Sequence, residues 1–211
     1  MRPSITAIVV SFNTPDELQR CLASLRASTG VGLKTIVVDN DSAFDVAAVV
    51  QRAYPDAELI RNSSNRGFAA AVNQGLARAS ETVVLINPDL TVQPDTLAIL
   101  YDRLIAHPNA GIVGPKLRYP DGTHQPSVKR FPRWIDLALT LAKLPNFVPG
   151  LSRRYHATDT DYDREQMVDQ VMGSCFMIRP QTLYAVGSFD EGFFIWFEGS
   201  IFAGEPGSAA G

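Results

Sequence analysis

Four short polar clusters carry the side chains able to do chemistry: Ser11-Phe12-Asn13, Asp39-Asn40-Asp41-Ser42, Asn62 to Gly67, and Asn87-Pro88-Asp89. Each follows a strand-like run. Asp39 and Asp89 place carboxylates where a hydrophobic sheet has no use for them. A carboxylate at such a point can accept bonds from a ribose or a base, or hold a divalent cation. Taken singly, Asn, Asp, Ser and Pro are ordinary turn and helix-cap residues, favoured for local reasons. Gathered on one edge of a sheet they make a binding site instead. For Asn87-Pro88-Asp89 alone, a fixed-φ turn and a metal-binding carboxylate are equally good readings.

The elements that must position these clusters alternate along the chain. Ile5 to Phe12 is a β-branched run suited to a buried parallel strand. Thr14-Pro15-Asp16-Glu17 reads as a capping box with Pro at the first helical position, and Leu18, Cys21, Leu22 and Leu25 then form one apolar face. Strands at Thr35 to Asp39, Glu58 to Arg61 and Thr82 to Ile86 are expected, interleaved with helices at Val46 to Ala53 and Phe68 to Ala79. Leu97, Leu100, Tyr101, Leu104 and Ile105 give the last helix of this half its stripe. Strand–helix alternation means a parallel, doubly wound α/β sheet, so all four clusters fall at the carboxyl ends of strands, the rim where such sheets bind ligands.

Beyond Gly111 the pattern breaks into hairpin and loop pieces at Gly114-Pro115, Tyr119-Pro120-Asp121-Gly122, Pro126, Pro132, Pro145 and Pro149, as an insertion or lid would. Order returns at Gln170 to Ile178, strand-like around Met172 to Cys175, and at Phe193 to Phe197; these strands are expected to complete the sheet. The expected division is therefore 1–110 as the ligand-binding half, 111–198 as the half carrying the lid, and 199–211 as a tail too rich in Gly, Ala and Ser to build core.

With 211 residues and 45% hydrophobic content the chain can bury a core as one domain. A net charge of −3 gives no field toward nucleic-acid phosphates, so a nucleic-acid partner is disfavoured. Cys21 and Cys175 have no metal-ligand or disulfide spacing and suit a reducing compartment. The N-terminus lacks a signal-peptide pattern and no window is apolar for long enough to span a membrane; a cytoplasmic protein is expected. Trp134, Leu137, Leu139, Leu141, Leu144, Phe147 and Val148, near Arg130, Arg133, Arg153 and Arg154, could meet a membrane peripherally, although core or lid packing explains them better. His107, His124 and His156 lack ligand spacing, read as surface or loop residues, and are assigned nothing.

Asp39 sits where a dinucleotide-binding protein would grip a ribose, but Ser11-Phe12-Asn13-Thr14-Pro15 contains no glycine to let a pyrophosphate approach the backbone. A nicotinamide-dependent oxidoreductase is disfavoured on that ground. There is no Walker A loop, and no carboxylate after the first strand for phosphoryl-transfer chemistry. A diphosphate bound without a glycine loop calls for a metal, and Asp89 is placed for one.

Six motifs in order resemble glycosyltransferase family 2, with its GT-A fold, and especially its rhamnosyltransferase-like branch. They are Ile8 to Asn13; Val37-Val38-Asp39-Asn40-Asp41-Ser42; Asn65-Arg66-Gly67-Phe68 with Asn73-Gln74-Gly75; Leu85 to Asp89; Gly173 to Arg179; and Phe189-Asp190-Glu191-Gly192-Phe193-Phe194. The resemblance covers nearly everything to Glu198. It implies a GT-A-like, mainly parallel sheet with helices on both faces. It also implies a nucleotide-sugar donor, dTDP-rhamnose or a UDP-sugar among the candidates, contacted by Ser11, Asn13, Asp39, Asn65, Gly67, Asn73 and Asp89. Asp89 would hold Mg2+ or Mn2+, Asp190 and Glu191 would face a glycan or lipid-linked acceptor, and transfer would invert the anomeric centre with a carboxylate as base.

The family pattern continues after Glu198 with an aspartate and an amphipathic helix, whereas this sequence has Gly199-Ser200-Ile201. The expected base position is thus glycine, with Glu198 as the fallback. The implied form is one truncated or altered at its C-terminal end, with an intact donor half and poor or no transfer. The alternative is a non-catalytic nucleotide-sugar-binding domain.

Overall fold

A computed structural model describes residues 2–79, 81–131 and 157–192. The first half follows the expected alternation: β1 (Ser4–Ser11), α1 (Pro15–Arg26), β2 (Gly32–Asp39), α2 (Val46–Ala53), β3 (Glu58–Arg61), α3 (Phe68–Leu76), β4 (Thr82–Ile86) and α4 (Thr96–Ala106). Then come the two-residue strands β5 (Ile112–Val113), β6 (Leu117–Arg118), β7 (His124–Gln125), β8 (Val128–Lys129) and β9 (Gln170–Val171), followed by β10 (Cys175–Ile178) and α5 (Pro180–Val186).

The main sheet runs β3-β2-β1-β4-β10-β5. β3, β2, β1 and β4 are mutually parallel, while β10 is antiparallel to both β4 and β5. β1 is the switch point: the chain winds outward to β2 and β3, then crosses back to β4 on the other side. Right-handed crossovers in opposite directions land on opposite faces, which is why α3 lies apart from α1 and α2. Two cores result. One packs Ile5, Ala7 and Val9 of β1 and Val84 and Ile86 of β4 under α1, α2 and α4. The other packs Ile8, Ile36, Val38, Val83 and Leu85 under α3, with Phe176, Ile178 and Phe189.

Alternation along the strands produces this division. Val37 faces one core and Val38 the other, so the central strands are apolar on both faces and read as unbroken hydrophobic runs. Gly75 lets α3 lie against β1, because a Cβ there would stand 2.7 Å from Cγ2 of Ile8.

The structure corrects several local expectations. Thr14 stands at the N-cap of α1, but its side chain makes no capping bond and its buried hydroxyl has no partner among the described residues. At ψ 65° the N-cap lies outside the extended region a capping side chain normally needs. The strand expected around Met172 to Cys175 begins only at Cys175, with a turn at Gly173-Ser174 and β9 ending at Val171. α3 ends at Leu76, three residues before the expected Ala79. Ile105, placed in the apolar stripe of α4, is 53% exposed. His124 belongs to β7, half-buried, its ring centroid 3.8 Å from that of Tyr162 with the planes tilted by 46°. The strand expected at Phe193 to Phe197 and the segment from Trp134 to Val148 lie outside the described residues.

Candidate functional site

The rim is built where β1, β2, β3 and β4 end. Ser11 closes β1 in register with Asp39 of β2, and the Asn40 N–H donates to the Ser11 carbonyl at 2.9 Å. The Ser11 hydroxyl is fully buried and has no partner among the described residues. Asn13, at φ 56°, bridges two turns: its N–H donates to Oγ of Ser42 at 3.1 Å, and its Oδ1 accepts from the Ala43 N–H at 2.8 Å. Asp39 is only 2% exposed. Its Oδ1 accepts from the Ser42 N–H at 2.9 Å, and its Oδ2 lies 3.8 Å from Nε of Arg61, a side chain 60% exposed. One carboxylate oxygen thus shapes the turn, while the other lies at the long limit of an ion pair with the largely exposed Arg61 side chain, which a ligand could displace.

Continuing the strand alternation past Val38, the side chain of Asn40 turns toward the start of α3. It is 3% exposed and makes four hydrogen bonds. Its Nδ2 donates to Oδ1 of Asn65 at 2.8 Å and to the Gly67 carbonyl at 3.2 Å. Its Oδ1 accepts from Nδ2 of Asn62 and from the Arg66 N–H, both at 3.1 Å. Asn62 and Gln74 exchange a reciprocal pair at 2.9 and 2.8 Å. Oδ1 of Asn65 accepts from the Gly67 N–H at 3.0 Å, and Gly67 itself adopts φ 82°, a conformation that favours glycine. These four amides bind the end of β2, the loop and α3 into one unit. Asn40, Asn62 and Gln74 were not among the residues the sequence singled out as contacts; the clue was the period of two that carries Asn40 to the α3 side.

Asn87 is anchored through backbone: its N–H donates to the Ser174 carbonyl at 2.8 Å, and its carbonyl accepts from Sγ of Cys21 at 3.8 Å. Burial, then the nearby Cys175 and Asp89, push the Cys21 thiol up to about 12; burial alone pushes Cys175 up to about 12. Both are inert core thiols. Asp89, by contrast, is exposed, with no hydrogen bond or ion pair to any described residue. No group of three or more His, Cys, Asp or Glu side chains suited to a metal gathers among the described residues. A Mg2+-like ion characteristically takes one or two carboxylates and completes its shell with ligand phosphate and water oxygens, and the exposed Asp89 carboxylate is compatible with that part.

The remaining candidates make none of the hydrogen bonds of this network. The Asn73 amide bonds to Phe189 and Glu191, 116 and 118 residues away. Asp190 is exposed, and its Oδ1 accepts from the Gly192 N–H at 2.8 Å. Arg179, which ends the Gly173 to Arg179 motif, donates to the carbonyls of Leu104, His107 and Ala110. It thereby satisfies and complements the negative end of α4. Glu198 and Gly199 lie outside the described residues. No helix among the described residues is long and apolar enough to cross a membrane.

The family model "Glycosyl transferase family 2" matches residues 6–183. The N-acetylglucosaminyl-diphospho-decaprenol L-rhamnosyltransferase of Mycobacterium tuberculosis is 27% identical over 210 residues, covering 94% of this chain and 68% of the relative. Among solved structures, a mannosyltransferase from Pyrobaculum calidifontis in complex with GDP-Man and Mn2+ superposes with a TM-score of 0.62 at 22% identity, over 90% of this chain and 48% of that one. S. aureus TarS residues 1–349 in complex with UDP gives 0.62 at 16% identity, over 95% and 54%. The chain spans about half the length of these two structures, whose likeness is one of fold, and that fold is GT-A.

Proposed function

The chain belongs to glycosyl transferase family 2, and on that premise we propose that it binds a nucleotide-diphospho-sugar with Mg2+ or Mn2+ and transfers the sugar, with inversion, to a glycan or lipid-linked acceptor. The observation that carries the reading is the pair of carboxylates at the rim, Asp39 with one oxygen in a displaceable ion pair and Asp89 exposed and without a partner among the described residues. Asp39 and Asn13 would take the base and ribose, with Ser11, buried in register beside Asp39, supporting them from beneath, and the Asn65–Gly67 turn the donor's remaining polar groups. Asp89 would hold the cation, which supplies charge neutralisation for a leaving nucleoside diphosphate. L-Rhamnose as sugar and an N-acetylglucosaminyl-diphospho-lipid as acceptor follow the M. tuberculosis relative's name; such an acceptor would bring the protein to a membrane surface peripherally.

One observation favours a second reading, a nucleotide-sugar-binding domain that does not turn over: Gly199 occupies the position where the resemblance expects the base. Glycine cannot accept the acceptor's proton, and on a strand the neighbouring Glu198 would face the other way.

A thermal-shift panel of nucleoside diphosphates and sugar nucleotides with Mn2+ tests the donor site. A ligand at a hundred times its Kd stabilises by about 2.7 kcal/mol, a shift of about 5–10 °C for a chain of this size. Asp89→Ala is expected to abolish the metal-dependent part of that shift and leave the unliganded Tm unchanged. A panel with no stabilising nucleotide, or a folded Asp89→Ala that keeps the metal dependence, would sink the assignment. Transfer to a lipid-linked N-acetylglucosamine acceptor, abolished by Glu198→Gln, separates the catalytic from the non-catalytic reading.

A further inference from the structure

We infer that Asn73 is a positioning residue of the acceptor side, holding the Phe189–Glu191 segment and the Glu191 carboxylate in place, and that it does not bind the nucleotide; this rests on the function proposed above. The sequence expectation put Asn73 among the donor contacts. In the structure its carboxamide is already committed. Oδ1 accepts from the Phe189 N–H at 2.9 Å, and Nδ2 donates to the Phe189 carbonyl and to Oε1 of Glu191, both at 2.9 Å. Both amide donors are therefore used, one of them in a charge-assisted bond that is stronger than a neutral one. A nucleotide reaching Asn73 would have to displace bonds that already satisfy it.

The segment needs this clamp. Between α5, which ends at Val186, and Gly192 there is no strand or helix, and Gly187 turns the chain at φ 83°. The Phe189 side chain is 3% exposed and packs into the core beneath α3. A backbone drawn in with it requires partners for its own N–H and C=O, and one asparagine supplies both. Asn is a poor residue for a helix interior, so its use in the middle of α3 is explained by this cross-chain pairing. The same helix starts just after its N-cap, Gly67, on the rim, and Asn73 lies six positions beyond Gly67, about 9 Å of rise. α3 thus acts as a rigid spacer between the donor turn and the acceptor segment. Asn73 stands too far from the rim turn for one ligand group to bond both.

The test compares the wild-type chain with Asn73→Ala, Asn73→Asp and the double variant Asn73→Asp/Glu191→Gln. Calorimetry with UDP and dTDP in Mn2+ is expected to give the same affinity in wild type and Asn73→Ala, within about twofold, while the Phe189 amide, whose N–H donates to Asn73, exchanges at least about tenfold faster in the variant and its neighbours in the segment follow. In Asn73→Asp two carboxylates would face each other, and like charges at that separation resist double ionisation. Protection of the segment, corrected for intrinsic exchange, is therefore expected to be lost at pH 8 and to return toward pH 5. Glu191→Gln is expected to restore it at pH 8, because Gln can donate to Asp. N-acetylglucosamine 1-phosphate added with the nucleotide is expected to protect the segment in wild type and not in Asn73→Ala.

A folded Asn73→Ala that loses nucleotide affinity tenfold while wild type binds returns Asn73 to the donor pocket and overturns the inference. So does a segment whose exchange ignores all these variants, or a wild-type segment indifferent to the acceptor analogue. A wild type that binds no nucleoside diphosphate is a different failure: it overturns the proposed function, and this inference with it.

Discussion

Replacing Asn40 by alanine is expected to cost stability and nucleotide affinity together. Four side-chain bonds disappear, to Asn65, Gly67, Asn62 and Arg66. At about 1 kcal/mol net per bond the sum is about 4 kcal/mol, but not all of it is lost. Asn62 keeps its exchange with Gln74, Oδ1 of Asn65 keeps the Gly67 N–H, and Arg66 is exposed enough for water to take over. The Gly67 carbonyl, in a buried residue, is left worst off. A loss of about 2–3 kcal/mol remains, or about 4–12 °C in Tm for a chain of this length. Urea unfolding measures it, and a cycle with Asn65→Ala isolates the network: the two changes should fall short of additivity by about 1 kcal/mol. Because the Asn65–Gly67 turn is then free to move, affinity for a nucleoside diphosphate should fall about tenfold or more even in the remaining folded protein. A cost below about 0.5 kcal/mol, or strictly additive single variants, would show that the amides do not act as a unit.

Asp39→Asn should behave in the opposite way, since Asn can still accept from the Ser42 N–H and only the long ion pair to Arg61 goes; stability should change by less than about 1 kcal/mol while nucleotide affinity falls at least about tenfold. Collapse of stability with affinity intact would make Asp39 a structural cap. Gly75→Ala drives a Cβ into Ile8, itself 1% exposed, and should cost about 1–3 kcal/mol; paired with Ile8→Ala it should cost less than the sum of the two singles in urea titrations. The two thiols, held near 12 in the folded state, bind their protons more tightly than in the unfolded chain. Their contribution is complete below the unfolded thiol pKa of about 8.5 and is lost as pH rises toward about 12, at about 1.4 kcal/mol per pH unit per thiol. Stability should therefore decline above about pH 9. Iodoacetamide at pH 8 should label Cys21 and Cys175 only in urea; rapid native labelling would contradict their burial.

The sheet half and the rim were legible in the order of residues alone. Runs such as Ile5 to Val10 and Val83 to Ile86 read as strands buried on both faces, and the stripes of α1 and α4 as faces turned to a sheet. The polar clusters had to follow those strands, so Ser11, Asp39 and Asp89 were readable as candidates. Local pattern also determined α2, β3 and β4, where element and polar boundary coincide. What it could not reach were partnerships across the chain. The alternation that points Asn40 toward α3 is visible, but its bonds to Asn62, Asn65 and Gly67 exist only once β2 and β3 lie side by side. Thr14 had the residues of a capping box and not the backbone angle, because the turn is set by Asn13 pairing with Ser42 and Ala43. β10 begins three residues late because Ser174 must first turn to accept the Asn87 N–H. Asn73 was a donor candidate through the family resemblance alone; its partners at 189 and 191 come from more than a hundred residues away, and only the packing of Phe189 beneath α3 decides that they meet. Hydrophobic periodicity is a local property and fixes which face is buried, whereas a hydrogen bond between distant polar side chains depends on the assembled distance, which only the tertiary structure sets.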